Sequence, residues 1–332
     1  MKVAVLMGGR SSERAISFLT GRGVARALRD LGHDVASVDA ADGALLPAGQ
    51  EGDGAPSLGE VQALPRAAQV AVVEAPAVRA ADVIFIALHG TFGEDGRIQA
   101  LLELAGKRYT GSGVLASALA MDKAMSKRVL ADEGVPTPRW ALCHAGDPVG
   151  DAELAACGGL PVVVKPNVEG STVGLTIVEE RSALRAALEL AARYGDAILL
   201  EEYVPGRELT VAVLHDRALP VVEIRPKSGF YDYENKYTAG RTEYFCPADL
   251  PGPLARRVGE LGLRAAQALG CSGVSRVDFR LSPQNEPSCL EVNTIPGMTP
   301  TSLVPMAAKA AGLSYADVVA RALELALGRA PS

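Results

Sequence analysis

The sequence predicts a mixed α/β protein that begins with a parallel sheet and continues with antiparallel strands. Residues 3–7 form an apolar strand, an amphipathic helix follows and ends at Gly32, and residues 33–38 form a second strand. This β-α-β order predicts parallel pairing, because a helical crossover returns the chain in the same direction. Two strands separated by a polar turn predict an antiparallel hairpin at 274–281 with 290–296, and residues 198–203 and 208–214 predict two further strands joined by a turn.

The length of 332 residues exceeds one typical domain, and 48% of the residues are apolar, which is enough for several cores. We expect three domains, at residues 1–111, 112–201 and 202–332. A net charge of −6 argues against binding to nucleic acid. The five scattered cysteines lack a CxxC pair, and no apolar run is long enough for a signal peptide or a membrane span. A cytoplasmic protein without membrane partners is therefore expected.

Further elements follow from hydrophobic periodicity and from glycine or proline breaks. The first half is expected to hold a strand at 83–88, a loop at 89–96, and a helix carrying Met121, Asp122 and Lys123. After a linker at 134–138 we expect a strand at 160–165 and a glycine-rich loop at 166–174. Three helices are expected further on: one capped by Ser182, one spanning 254–265, and a last one capped by Ser314. Two segments lack periodicity: 40–60, a loop or disordered insert, and 225–246, a lid.

The hairpin at 274–296 carries the strongest chemical signal. Strand alternation places Asp278 on one face with Arg276 and Arg280, and it places Glu291 with Asn293 on the second strand. Two carboxylates and an amide oxygen suit Mg²⁺, and a neighbouring arginine suits a phosphoryl group on that metal. The alternative is a solvated hairpin face with ordinary surface charges.

Two lysines lie where a nucleotide phosphate could bind. Lys165 ends an apolar strand just before the glycine-rich loop, and Lys123 occupies a similar position at a helix. Either lysine alone could simply be exposed at the end of an element, but with the acidic hairpin they indicate a nucleotide and Mg²⁺ site. Gly111-Ser-Gly113 matches a dinucleotide pattern weakly and outside the first β-α-β unit, and no Walker A sequence occurs, which disfavours an NAD enzyme.

Other candidates have two interpretations each. Glu201 and Glu208 flank a turn whose backbone could bind adenine and whose carboxylates could bind ribose, or they are ordinary turn charges. Glu13 either faces a substrate ammonium or lies in the first helical turn for dipole reasons alone. His89 is equally a site residue or a buried, hydrogen-bonded histidine. The aromatic residues at 231–237 favour a lid that closes over substrate.

A series of motifs then occurs in order: GGRSSER (8–14), HGTFGEDG (89–96), MDK (121–123), KPNVEGSTVG (165–174), YDYENKY (231–237), RVD (276–278) and EVNTIPGMT (291–299). Together they resemble the D-alanine–D-alanine ligase family of the ATP-grasp superfamily, across essentially the whole chain. The resemblance implies an N-terminal parallel α/β domain and two α+β domains that clamp ATP. It also implies that ATP phosphorylates one D-alanine and that the amine of a second displaces phosphate, for peptidoglycan synthesis.

The resemblance further implies a role for each candidate. Residues expected to contact ATP are Lys123, Lys165, Glu201, Glu202, Tyr203, Val204, Glu208 and Lys236. Two Mg²⁺ ions, or Mn²⁺, are expected on Asp278, Glu291 and Asn293. The amino-acid substrates and the oxyanion are expected to meet Glu13, His89, Ser171, Tyr237, Arg276, Gly297 and Ser302, with Glu13, Ser171 and Tyr237 linked by hydrogen bonds.

The resemblance also bears on specificity and assembly. The Lys236-Tyr237 pair favours an amine as second substrate, so a dipeptide is expected rather than D-alanyl-D-lactate. Dimers are usual in the family, so a homodimer is expected. Two alternatives stay open: an ATP-grasp ligase for other acids, and a non-catalytic nucleotide sensor, although the metal residues are all present.

Overall fold

The computed structural model describes residues 1–49, 65–227 and 240–328, and in this part of the chain the strands form three sheets. The predicted mixed α/β class is confirmed, since one sheet is mostly parallel and the other two are antiparallel. None of the helices described is long and apolar enough to cross a membrane.

The first sheet has the order β3-β2-β1-β4-β5. Its strands are β1 (Lys2–Met7), β2 (Asp34–Asp39), β3 (Leu45–Leu46), β4 (Val83–Ile86) and β5 (Arg108–Tyr109). β1 pairs in parallel with β2 and β4, as predicted from the β-α-β start, and β3 is antiparallel to β2. β3 lies in the predicted 40–60 loop, and residues 50–60 fall outside the described residues.

Helices cover both faces of this sheet, as a parallel sheet requires. The helix Arg14–Asp30 packs Phe18, Val24 and Leu28 against one face, and the opposite face packs against a second buried cluster. Other helices of this region are Arg66–Val70, Pro76–Ala80 and Arg97–Leu104, with a 3₁₀ helix at Ala71–Glu74.

The second sheet has the order β6-β9-β7-β8 and is antiparallel. Its strands are β6 (Trp140–His144), β7 (Val162–Pro166), β8 (Thr176–Val178) and β9 (Ala197–Glu202), and its helices are Asp151–Ala156 and Arg181–Ala192. The predicted cap at Ser182 is wrong. Glu180 has extended backbone angles and precedes the first helical residue, so Ser182 already lies within the first turn.

The third sheet has the order β13-β12-β10-β14-β15, with β11 also paired to β10. Its strands are β10 (Arg207–Leu214), β11 (Arg217–Ala218), β12 (Val222–Pro226), β13 (Thr242–Phe245), β14 (Val274–Leu281) and β15 (Pro287–Asn293). The helix Gly252–Ala268 lies between β13 and β14 in the chain, and the helices Leu303–Ala310 and Tyr315–Leu327 follow β15. The predicted cap of the last helix is confirmed, because Ser314 and Asp317 exchange hydrogen bonds there. The domain cuts near 112 and 202 remain a prediction.

Two further expectations need correction. The helix expected to carry Met121, Asp122 and Lys123 is two helices, Val114–Met121 and Lys123–Asp132, because Asp122 is extended and caps the second through the backbone N–H of Met125. The predicted lid at 225–246 is a strand at both ends, where β12 pairs with β13. Residues 228–239, which include Lys236 and Tyr237, lie outside the described residues.

Candidate active site

Two adjoining cavities lie where the three sheets approach one another. The larger, of about 430 Å³, lies between the second and third sheets, and the smaller, of about 140 Å³, lies beside the N-terminal loops. Gly170 and Glu291 line both cavities, so the two spaces meet at the glycine-rich loop and the hairpin. The larger volume is in the range of small-molecule sites.

The β14–β15 hairpin forms the wall between them. Asp278 pairs with Glu291, and Arg276 pairs with Asn293, so the predicted polar side chains share one surface. Asp278 accepts hydrogen bonds from Arg276 Nε (2.9 Å) and Nη2 (2.7 Å), from Thr210 Oγ1 (2.6 Å) and from Asn293 Nδ2 (3.1 Å). Val277 and Phe279 are fully buried on the opposite face, which fixes the register of the hairpin.

The donor atoms of this wall fit a hard divalent cation. Within residues 1–49, 65–227 and 240–328, no three His, Cys, Asp or Glu side chains are grouped to hold a metal ion. The predicted trio instead has two carboxylates and one amide, an oxygen-donor set that suits Mg²⁺ better than a soft metal. Glu291 Oε2 also lies 3.4 Å from Lys123 Nζ, so cationic groups already balance both carboxylates.

A buried ion cluster lies at the back of the larger cavity. Glu201 Oε2 is 2.6 Å from Lys165 Nζ, Glu201 Oε1 contacts Lys127, and Lys127 donates to Thr137 Oγ1 at 2.6 Å. Burial alone would raise the pKa of Glu201, but the two lysines overcome it and hold that pKa below its usual value. Each oxygen of Glu201 faces a lysine, Oε2 facing Lys165 and Oε1 facing Lys127, so this carboxylate is engaged within the protein. Lys127 was not predicted as a site residue, because it lies within a helix and belongs to none of the motifs. Its only distinguishing feature is its complete burial, which the structure shows.

The other residues predicted to contact nucleotide line the larger cavity where the structure describes them, and Lys236 lies outside the described residues. Glu202 is held by Arg139, with contacts of 2.9 Å from Nη2 to Oε1 and 3.0 Å from Nε to Oε2. The predicted residues that line this cavity are Lys123, Lys165, Glu201, Glu202, Tyr203, Val204 and Glu208, together with Asp278 and Glu291.

Glu13 and His89 line the smaller cavity from the N-terminal loops. Ser171 donates a hydrogen bond to Glu13, which joins the glycine-rich loop to the first helix. Gly90 has a φ of +70°, and a Cβ there would lie 3.0 Å from Glu13 Oε2, so glycine permits this close approach. The third expected member of this link, Tyr237, lies outside the described residues.

His89 is buried and hydrogen-bonded through both ring nitrogens. Nδ1 lies 3.0 Å from the carbonyl oxygen of Ile295, and Nε2 lies 3.0 Å from Thr20 Oγ1. Nδ1 must carry the proton, because a carbonyl can only accept, and Nε2 therefore accepts from Thr20. Burial lowers the pKa of His89, which favours this neutral form. His89 therefore joins its own loop to the segment that follows the hairpin, at Ile295, in the cavity wall.

Gly297 and Ser302 close the smaller cavity from the C-terminal side. Ser302 precedes the helix Leu303–Ala310, and its Oγ accepts a hydrogen bond from the backbone N–H of Thr299 at 3.0 Å. A Cβ on Gly297 would lie 3.0 Å from Ser302 Oγ. The N-terminus of this helix at the cavity favours an anionic group, such as a carboxylate.

Glu94 is a cavity residue that the sequence analysis passed over, although it stands in the quoted HGTFGEDG motif. Its Oε2 accepts from the backbone N–H of Gly90 at 2.7 Å, and its Oε1 accepts from that of Ile295 at 3.4 Å. Burial, with the nearby Glu13 carboxylate, raises the pKa of Glu94 to about 8. Glu94 therefore ties the His89 loop to the end of the hairpin.

The raised pKa of Glu94 predicts a pH-dependent loss of stability. A carboxyl whose pKa is higher in the folded chain keeps a proton that the unfolded chain loses, so stability falls as pH rises from 4.5 towards about 8. Replacing Glu94 with glutamine should flatten this part of the profile, as measured by thermal unfolding between these pH values. An unchanged slope in the variant would contradict the assignment.

Comparison with known proteins shows that this chain is similar to ligases. A family model described as the D-ala D-ala ligase N-terminus matches residues 2–112, and one described as the D-ala D-ala ligase C-terminus matches residues 129–324. The D-alanine–D-alanine ligase of Syntrophotalea carbinolica is 45% identical over 325 residues, covering 97% of this chain and 95% of that protein. That of Bordetella petrii is 46% identical over 324 residues, covering 96% and 89%.

Solved structures give the same result. The crystal structure of D-alanine–D-alanine ligase from Bacillus anthracis complexed with ATP superimposes with a TM-score of 0.81 at 30% identity, covering 98% of this chain and 97% of that chain. A second structure of the ligase from the same organism has a TM-score of 0.80 at 32% identity.

Proposed function

This chain belongs to the D-alanine–D-alanine ligase family, and from that premise we propose that it joins two D-alanines at the expense of ATP. The family models and the full-length relatives support this assignment. The product, D-alanyl-D-alanine, is a precursor for peptidoglycan. ADP and phosphate are the other products.

One observation carries this function: a nucleotide-sized cavity and a smaller polar cavity meet at Glu291 and Gly170. A ligase must bring the terminal phosphate of ATP to a carboxylate and then bring an amine to the same carbon. Proximity of this kind supplies a large part of the rate enhancement. Adjoining cavities allow both steps without movement of the activated amino acid.

The first step is phosphoryl transfer to a carboxylate oxygen of the first D-alanine. Lys123 and Lys165 line the larger cavity and would bind the ATP phosphates, while residues 202–204 and Glu208 would bind adenosine. Glu201 would act through Lys165, because its carboxylate is engaged by the two lysines. Transfer breaks the bond between the terminal phosphorus and ADP and forms a mixed anhydride, which is a far better electrophile than a carboxylate.

The second step is attack of the other amine on the carbonyl carbon, with loss of phosphate. Glu13 would bind the ammonium of the first D-alanine, and Ser302 would bind the carboxylate of the second. Arg276 and the backbone N–H of Gly297 would stabilise the oxyanion, which is the largest charge to develop in this step. His89 would hold the loop beside the first substrate.

Asp278, Glu291 and Asn293 would hold Mg²⁺ ions, or Mn²⁺, and their oxygen donors fit this choice. When bound, the metal neutralises charge on the phosphates of ATP. Lys236 remains a predicted contact of the transferring phosphoryl group, and Tyr237 remains a predicted hydrogen-bond partner of Ser171. The pair also favours an amine as the second substrate. We also propose a homodimer in the cytoplasm. The family's usual assembly supports the dimer, and five cysteines without a disulfide fit a reducing compartment.

The test is phosphate release with ATP, Mg²⁺ and D-alanine, with the dipeptide identified by mass spectrometry. We expect release that depends on D-alanine and is not supported by L-alanine. Release with D-alanine plus another acid, but none with D-alanine alone, would favour a different ATP-grasp ligase. Nucleotide binding without any turnover would favour the sensor alternative.

A further inference from the structure

Arg280 lines the larger cavity, where it contacts the turn between β9 and β10 twice and Glu208 of β10 once. Its Nε donates to the carbonyl of Val204 at 3.1 Å, and its Nη2 donates to the carbonyl of Gly206 at 2.8 Å. Its Nη1 lies 3.4 Å from Glu208 Oε2. One guanidinium thus joins the turn between β9 and β10 to Glu208, the second residue of β10.

The backbone positions this arginine. Arg280 and Glu208 are directly paired across β14 and β10, so their side chains leave the sheet together. Both side chains are largely shielded from water, with exposures of 19% and 17%. A planar guanidinium can satisfy two carbonyls and a carboxylate at fixed angles, which the single ammonium of lysine cannot do.

The turn itself is held closely against β14. Gly206 has a φ of +117°, and a Cβ at this position would lie 2.1 Å from the carbonyl oxygen of Leu281. Backbone packing therefore holds the turn from one side, and Arg280 holds it from the other. Without Arg280, two carbonyls and a carboxylate at the cavity edge would lose their common donor.

We propose that Arg280 is a positioning residue for the adenosine part of the nucleotide. It fixes the backbone of residues 204–206 and orients the Glu208 carboxylate so that it accepts a hydrogen bond from a ribose hydroxyl. The inference rests on the proposed function, in which residues 202–204 and Glu208 bind adenosine. It assigns selectivity for the ribose to a cavity-lining side chain that acts through the turn and through Glu208.

The test compares Arg280→Met and Arg280→Lys with the parent, using ATP, 2′-deoxy-ATP and 3′-deoxy-ATP at saturating D-alanine. We expect Arg280→Met to raise the KM for ATP about tenfold, because the turn and the Glu208 carboxylate lose the charged donor that positions them. The KM for D-alanine should stay within about twofold, since the smaller cavity is untouched. Preference for ATP over at least one deoxynucleotide, measured as a ratio of kcat/KM, should fall towards unity.

The lysine variant separates charge from geometry. It keeps the positive charge but cannot hold all three acceptors, so it should resemble Arg280→Met in nucleotide preference while retaining more stability. Arg257→Met is the matched control, because Arg257 makes an exposed ion pair with Glu286 at the far end of the same hairpin. That control should leave every KM unchanged.

Two failures are distinguishable. If the parent releases no phosphate with D-alanine, the proposed function is wrong. If the parent is active but both Arg280 variants keep the parental KM for ATP and the parental preference for ribose, the positioning role alone is overturned. An equal rise in the KM for D-alanine would also overturn it, since it would indicate general damage to the fold.

Discussion

Replacing Asp278 with asparagine is expected to abolish ligation while the protein stays folded. The carboxylate of Asp278 bonds both Arg276 and Thr210, and it lies directly opposite Glu291 on the wall between the two cavities. The variant keeps the shape of the side chain but removes the negative charge needed for a divalent cation. We expect kcat to fall by roughly 10²–10³-fold, which is the typical cost of losing one electrostatic group at such a site.

The measurements are phosphate release over a Mg²⁺ titration and the midpoint of thermal unfolding. A higher Mg²⁺ requirement with little change in the midpoint would identify a metal ligand, because a purely structural role would move the midpoint instead. Asp216→Asn is the control, since Asp216 is exposed at the turn between β10 and β11 and the substitution changes the same charge. A variant of Asp278 with parental activity would refute the metal site.

Replacing Arg14 with methionine is expected to destabilise the region around the first sheet severely. Arg14 donates to Asp39 through Nη1 (2.9 Å) and Nη2 (2.5 Å) and to the carbonyl of Gly9 at 2.6 Å. Only 7% and 6% of the two side chains in the ion pair are exposed, so removing the arginine leaves a buried carboxylate without its counter-ion. Breaking a buried pair in this way typically costs about 3–5 kcal/mol.

Urea or thermal unfolding measures this loss, and Arg26→Met on the exposed side of the same helix is the control. The double variant Arg14→Met, Asp39→Asn should recover part of the stability, because it no longer buries an unpaired charge. An unfolding midpoint that stays at the parental value in Arg14→Met would contradict the importance of this pair.

Local patterns were sufficient to predict many of the elements. Alternation predicted the faces of β14 and β15, and a 3.6-residue period over 254–265 predicted the helix found at Gly252–Ala268. The capping-box pattern of Ser314 and Asp317 predicted the start of the last helix. These features depend on neighbouring residues, whose spacing is visible in the chain. The break at Asp122 was missed because its side chain competes for the backbone of the next helix, an effect that periodicity does not register.

Pairings between distant residues were not predictable. Lys127 meets Glu201, and Arg14 meets Asp39, only because separate elements bring them together. Ser171 and Thr172 have φ values of 51° and 64°, a left-handed conformation that nothing in the residue types requires. The link from Ser171 to Glu13 followed from the family resemblance and could not have been obtained from spacing alone.

Because Glu291 and Gly170 line both cavities, we expect ligand binding in one cavity to change the affinity of the other. If bound nucleotide orders the glycine-rich loop, the free energy of that ordering changes the affinity for the amino acid on the other side of the loop. Linkage is reciprocal, so the factor by which ATP tightens D-alanine equals the factor by which D-alanine tightens ATP. If the coupling is favourable, whichever of ATP and D-alanine binds first binds more weakly than it does once the other cavity is occupied.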